Sequence, residues 1–332
     1  MEKYIVTFTS PSSEKTAHTG AYTKAPADIE AIALQQNGGG YKALPLTFRK
    51  ANTARGKIVN WLSILCQLVV KSARLPKSVV LIQFPQIHPF VLRMALPLMR
   101  KHYIVSVLHD IDSIRVGGRL SSNECTVLSY AQELYVHTEN MRSYFEARLR
   151  RGIKYHVLDC FPYLAQPNQE PRHLSNEVCF AGNLDKSVFL EKFIKSESGI
   201  NLILYGTWKN NVADQYAHVS YLGCFTSENV QHLKGSWGLV WDGDSMEACS
   251  GTWGEYLKII ASHKFSMYLV AELPIIVWKE SAMAHLVEQH NLGITINSLS
   301  ELAERINHIS PEEYDSMIAG IRNYRNNKQY SF

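Results

Sequence analysis

Along the chain, short unbroken apolar runs alternate with longer stretches in which apolar residues recur every three or four positions. The segments "KYIVTF" (3–8), "VVLIQFP" (79–85), "YIVSVLHD" (103–110) and "ELYVHT" (133–138) are of the first kind. Near-continuous apolar character is what parallel strands covered on both faces require, so these are predicted strands. "ADIEAIALQQNGG" (27–39) predicts a helix stopped by glycines, and "ENMRSYFEARLRRG" (139–152) one that ends on Gly152. "WLSILCQLVV" (61–70) and "HPFVLRMALPLMRKHYIVSVL" (88–108) are also strongly apolar. The second is interrupted by Arg93, Pro97 and the Arg100-Lys101-His102 cluster, which fits a helix packed on a sheet and followed by a strand.

A Pro-containing stretch, "CFPYLAQPNQEPRHLSNE" (160–177), reads as a linker, and after it the cycle restarts. Strands are expected at "VCFAGN", "INLILYG", "SYLGCF", "WGLVWDGD", "PIIVW" and "GITI". Helices are expected at "KSVFLEKFIKS", "SENVQHLK", "GEYLKIIASHKFSMYLVAE" and "SAMAHLVEQHN". Two successive sets of alternating strands and helices predict two doubly wound, Rossmann-like α/β domains, residues 1–165 and 166–332, facing each other across a cleft. In such sheets ligands bind outside the carboxyl ends of the strands, so those loops are where chemistry is expected.

Composition narrows the picture without redirecting it. The chain has 332 residues, 46% hydrophobic and 19% charged, enough for two separate cores. A net charge of +4 is too mild for a nucleic-acid binder, and neither an RNP-like aromatic motif nor a dense Lys/Arg run is present. The six cysteines lie far apart with no CxxC pair, as reduced cytosolic thiols do. "MEKYIVTFTS" lacks the basic start and long apolar run of a signal peptide. No run reaches the roughly 20 apolar residues of a membrane span. The expected location is therefore the cytoplasm, with 88–108 leaving open a basic, greasy face resting on a membrane.

Four strand-end loops concentrate polar residues. "SSEKTAHTGAYTK" carries His18, Thr19, Gly20 and Lys24; "HDIDSIRVGGR" carries His109, Asp110, Asp112 and Arg115. "AGNLDK" (181–186) and "WDGDSMEACSG" (241–251) lie in the second half. Strand-end loops are polar simply because they are wet, yet two such loops in each predicted domain fit a shared site. In "AGNLDK", Gly182 allows close backbone approach, Asn183 opens the next helix with its unpaired N–H groups, and Lys186 adds charge: an economical anion site, or a plain strand–turn–helix start. Lys264 precedes a largely apolar segment, and a cation at that boundary wants a diphosphate or an internal carboxylate. His109-Asp110 is either an acid/base pair or a turn cap with a packed histidine. Asp242 and Asp244 are too few for a metal cage and better suited to sugar hydroxyls or to Lys/Arg neighbours, so no metal is expected.

Together "HDIDSIRVGG", "FAGNLDK", "GLVWDGDSMEACSG" and "GEYLKIIASHKFSMYLVAELPIIVW" resemble the bacterial galactofuranosyltransferases of surface-polysaccharide assembly. They are more distantly similar to the glucosyltransferases that extend O-GlcNAc on serine-rich adhesins. The resemblance implies a GT-B fold whose C-terminal domain holds the nucleotide-sugar. It implies Lys186 and Lys264 on the diphosphate, Tyr256 and His263 beside the donor, and His18 or Thr19 reaching in from the N-terminal domain. "LVAELP" stands where many such enzymes have an "AxGxP" turn, and Met267 stands where many retaining members place a ribose-binding glutamate.

The implied activity is transfer of one sugar, galactofuranose or otherwise glucose, from a UDP-sugar to an oligosaccharide or lipid-linked glycan, without a cofactor. Lys186, Lys264 and helix N-termini would stabilise the departing UDP, and Asp110, His109 or His18 would deprotonate the acceptor. "WDGDSMEACSG" is expected to close over the donor sugar, its glycines supplying mobility and Asp242, Asp244, Ser245 and Glu247 supplying hydroxyl partners. An epimerase or hydrolase of the same fold, or a non-catalytic partner of another transferase, are the competing readings.

Overall fold

The computed structural model describes residues 1–9, 21–35, 40–48, 51–196, 198–328 and 332. The chain divides into two compact units. The first contains Pro26–Leu158 together with the N-terminal strand; the second contains Asp159–Gln329 together with the start of the Ala21–Leu34 helix, up to Ala25.

The first unit is built on a parallel six-stranded sheet. Its strands are β1 (Lys3–Thr9), β2 (Lys42–Thr47), β3 (Val79–Phe84), β4 (Tyr103–Leu108), β5 (Glu133–Val136) and β6 (Lys154–Val157). They are ordered β2-β1-β3-β4-β5-β6. The chain steps outward from β1 to β2, then returns past β1 to β3, so the order reverses between β1 and β3. The four strands expected here are present. The two the pattern misses, β2 and β6, are the edges. "KALPLT" includes Pro45, which an edge strand tolerates because one side of it makes no ladder, and "KYHV" is only partly buried. Neither forms an unbroken apolar run, because an edge strand need not be covered all round.

The second unit repeats the plan with β7 (Glu177–Ala181), β8 (Asn201–Tyr205), β9 (Val219–Tyr221), β10 (Trp237–Val240), β11 (Ile275–Trp278) and β12 (Gly293–Ile296). The order is β12-β11-β10-β7-β8-β9, all parallel, and it reverses between β7 and β10. Its core includes Phe180, Phe189, Trp237, Leu239, Trp241 and Tyr314. Gly238 has a packing reason: a Cβ there would lie 2.4 Å from the Tyr268 ring, which fills the space above β10. The Tyr268 hydroxyl then accepts from the Ala181 N–H at 3.0 Å and donates to the Cys179 carbonyl at 3.3 Å, tying the helix to the end of β7.

Several expected elements differ. The first helix is Ala21–Leu34, with Pro26 inside it, rather than 27–39. "SYLGCF" is strand only over Val219–Tyr221, and "SENVQHLK" contributes a single 3-10 turn, Val230–His232. The expected 254–272 helix is two helices, Gly251–Tyr256 and His263–Val270. Between them the Leu257 carbonyl accepts from the Ala282 N–H at 2.9 Å, a tertiary bond that no periodicity can announce. The apolar pattern does not announce Pro311–Asn327; this helix opens on a capping box, with Ser310 and Glu313 each bonding the other's backbone N–H.

Candidate active site

In an open α/β sheet the loops flanking the point where strand order reverses form a ready crevice. In the second unit those loops follow β7 and β10, and they are "GNLDK" and "WDGDSMEACSG". The two acidic-and-glycine segments singled out by sequence therefore leave adjacent strands at the switch point.

The Gly182 backbone is what Lys264 lies against. A Cβ at Gly182 would meet Lys264 Cε at 3.0 Å and Nζ at 3.6 Å. The same ammonium stands 4.8 Å from the centre of the Phe180 ring. Gly182 is in turn pressed by backbone, since a Cβ on Gly206, whose φ is +126°, would fall 1.7 Å from the Gly182 carbonyl oxygen. The bare Gly182 backbone and the Phe180 ring thus make the seat of Lys264. The break after Tyr256 places Lys264 in the first turn of a new helix, where its cation and the helix's positive end act together. Asn183 accepts from the Lys186 N–H at 3.3 Å and starts the short Leu184–Lys186 turn, and Lys186 Nζ lies 5.7 Å from the exposed Trp253 ring. Trp253 is a residue the polar-loop pattern does not select; a tryptophan set among glycines is the sequence signal for it.

The acidic loop is internally bonded. Asp242 accepts from the Gly243 N–H at 2.9 Å, and the Asp244 carboxylate accepts from the Ser250 hydroxyl. That hydroxyl is the main reason the exposed Asp244 carboxyl is held below its ordinary range. Lys192 donates to the Asp244 carbonyl at 2.8 Å. Ser245 Oγ accepts from the Glu247 N–H at 3.1 Å, and Glu247 in turn accepts from the Ser300 hydroxyl at 2.8 Å. Gly243 serves close approach: it has φ +105°, and a Cβ on it would sit 2.3 Å from the Ser250 carbonyl oxygen. Burial pushes the Cys249 thiol up to about 12, with Lys264 near enough to oppose that rise. Buried in the core of the second unit, Cys249 packs there as a protonated thiol.

Tyr256 is buried at the end of its helix. His263 turns toward the linker, its ring 4.9 Å from Tyr163 and 6.1 Å from Phe161. Lys24 joins the same neighbourhood, donating to the Leu164 carbonyl at 2.6 Å and lying 5.1 Å from the Tyr163 ring. His18 and Thr19 fall outside the described residues.

In the first unit, His109 and Asp110 follow β4. His109 Nε2 lies 2.8 Å from Gln83 Oε1, while Gln83 Nε2 donates to the Pro26 carbonyl at 3.1 Å. With its amide nitrogen so engaged, Gln83 offers an acceptor, which places the proton on Nε2 and leaves Nδ1 as the ring's acceptor. Asp110 pairs with Arg115 at 3.3 Å. Beneath them the buried His137 bonds the Leu108 carbonyl through Nε2 at 3.0 Å, bracing the strand end that carries the pair. Among the described residues, no three His, Cys, Asp or Glu side chains converge as metal ligands.

Residues 178–329 match the family model of the glucosyltransferase 3-like C-terminal domain. The chain is 32% identical over 246 residues to the β-1,6-galactofuranosyltransferase WbbI of Escherichia coli K12, spanning 72% of this chain and 71% of that protein. It is 23% identical over 223 residues to glucosyltransferase 3 of Streptococcus parasanguinis, covering 67% and 64% of the two chains. In fold it resembles Anabaena Alr3699/HepE, solved in complex with UDP, with a TM-score of 0.61 at 12% identity over 98% of this chain and 96% of that one.

Proposed function

The chain belongs to the bacterial galactofuranosyltransferase family, and from that premise we propose that it moves galactofuranose from UDP-galactofuranose to a saccharide acceptor in surface-glycan assembly. The fold is GT-B, with two parallel six-stranded α/β sheets, and the activity is that of a UDP-sugar-dependent glycosyltransferase.

The observation that carries the donor site is Lys264 lying across the bare backbone of Gly182 at the point where the second sheet reverses its order. A diphosphate there meets a cation, a glycine backbone and a helix N-terminus. Lys264 and Lys186 are the proposed partners of the diphosphate, and they stabilise the negative charge that grows on UDP as the glycosidic bond breaks. Asn183, Asp242, Tyr256 and His263 border the donor in this reading, and Asp244 and Ser245 act chiefly by holding the acidic loop in shape. Asp110 is the proposed base for the acceptor hydroxyl, with His109, through Nδ1, as the second candidate. The acceptor is an oligosaccharide or lipid-linked glycan, and the enzyme works at a membrane surface as a peripheral protein.

Calorimetric titration with UDP, UDP-galactofuranose, UDP-galactopyranose and UDP-glucose, followed by transfer assays with and without a saccharide acceptor, tests this reading. UDP-galactofuranose should bind most tightly of the sugar donors and be consumed only when acceptor is present. Absence of UDP binding, or donor consumption indifferent to acceptor, would overturn it.

A further inference from the structure

We infer that one face of the first unit, formed by the Ala54–Arg74 helix and the Pro89–Ala95 helix with the turn after it, is a docking surface for an anionic lipid bilayer. The inference deepens the peripheral reading above and rests on it. The two helices connect β2 to β3 and β3 to β4, and both connections step the same way along the sheet. Right-handed crossovers therefore put both helices on one side of it. They touch there: the Trp61 ring stacks on the His88 imidazole, with centroids 4.4 Å apart and planes 28° apart.

Each helix is apolar on its outer side as well as its inner one. Ala54–Arg74 buries Ile64, Leu68 and Ser72 against the sheet, and turns Ile58, Val59 and Leu62 outward. Pro89–Ala95 buries Val91, Leu92 and Ala95 and turns Phe90 and Met94 outward, with Leu98 one turn on. All six outward side chains are more than half exposed. A helix that need only cover a sheet has no use for large apolar groups on its far side, and clustered exposure of this kind marks a contact surface.

Charge selects the partner. From residue 31 to residue 109 the chain contains no aspartate or glutamate and eleven lysines and arginines, although the whole chain nets only +4. Arg55, Lys57, Arg93, Arg100 and Lys101 are exposed within or beside the two helices. Lys101 is held there by donating to the Ala73 and Leu75 carbonyls at 2.8 and 2.7 Å, and so ties the end of the first helix to the turn after the second. A second copy of this chain would bring like charges together, whereas an anionic bilayer accepts both the apolar side chains and the surrounding cations. Among the described residues no helix is long and apolar enough to cross a membrane, so the contact is with its surface.

Sedimentation of the full chain with vesicles tests the assignment. Vesicles of phosphatidylcholine with added phosphatidylglycerol should carry the protein down, phosphatidylcholine alone should not, and added salt should release it. Arg55→Gln with Lys57→Gln should weaken binding about 25-fold, at about five-fold for each cation lost near the surface. Leu62→Gln with Leu98→Gln should also weaken it, while melting temperature and transfer to a soluble acceptor stay unchanged in both variants. Binding by both variants at wild-type strength overturns the surface while leaving peripheral association standing. Failure to bind any vesicle, with soluble transfer intact, overturns both and spares the transferase reading. A solution dimer dispersed by Leu62→Gln with Leu98→Gln assigns the face to a second copy and overturns the lipid partner.

Discussion

Lys264 and Gly182 are 82 positions apart in sequence, and the proposed donor site depends on their meeting. Each was visible alone, as a glycine after a strand and as a lysine before an apolar segment; that one lies on the other was not. If the contact holds a diphosphate, Lys264→Ala should weaken UDP binding by roughly ten- to a hundred-fold, the range of a lost hydrogen bond to a charged group. Gly182→Ala makes a subtler test. Its Cβ would press on the flexible end of Lys264 at 3.0 Å, so the fold should persist while the ammonium is displaced. Calorimetry should show weakened UDP binding beside an unchanged melting temperature. Wild-type affinity in Lys264→Ala would remove the lysine from the donor site.

At the scale of elements, the turn "LVAELP" shows what replaces a glycine. Glu272 has φ +53°, the left-handed region where glycine is at ease, and occupies the glycine position of the "AxGxP" pattern. Its buried carboxylate is gripped by two arginines of the Pro311–Asn327 helix, Arg322 at 2.7 Å and Arg325 at 2.9 Å. The backbone strain of a non-glycine residue is thus offset by a pair of charge-assisted bonds that fasten the last helix to the turn after the Lys264 helix. Glu272→Ala should lower unfolding free energy by about 2–3 kcal/mol, because it keeps the strained φ and removes the bonds. Glu272→Gly should lose about 1 kcal/mol less, because glycine relieves the strain. Urea denaturation of the pair checks the order, and equal losses would mean that the conformation carries no penalty.

For the molecule as a whole, acid should act through buried histidines of the first unit. Burial pushes His137 down to about 4, and burial also lowers His102. Between about pH 4 and pH 6.5 the unfolded chain binds the proton that folded His137 refuses, so stability rises with pH across that window. It is fully present above pH 6.5 and falls by up to about 3 kcal/mol as the pH drops toward 4. Melting temperature followed from pH 7 to pH 4 should show this slope, and His137→Gln should flatten it. A variant that keeps the wild-type slope would place the acid sensitivity elsewhere.

The central strands, the two-sheet α/β plan and the polar loops after β4, β7 and β10 were legible in the linear pattern. Burial on both faces demands unbroken apolar runs, and the need for bare backbone or charge at strand ends selects Gly, Asp and Lys. The resemblance carried by "AGNLDK" and "WDGDSMEACSG" pointed further, to the family. Edge strands β2 and β6 escaped because half-exposed strands leave no such run. The break after Tyr256, the internal bonding of the acidic loop and the seat of Lys264 on Gly182 were decided by tertiary structure alone. Periodicity reports which side of an element is covered. It does not report what covers it, and each of these features consists in the identity of a partner distant along the chain or folded back upon it.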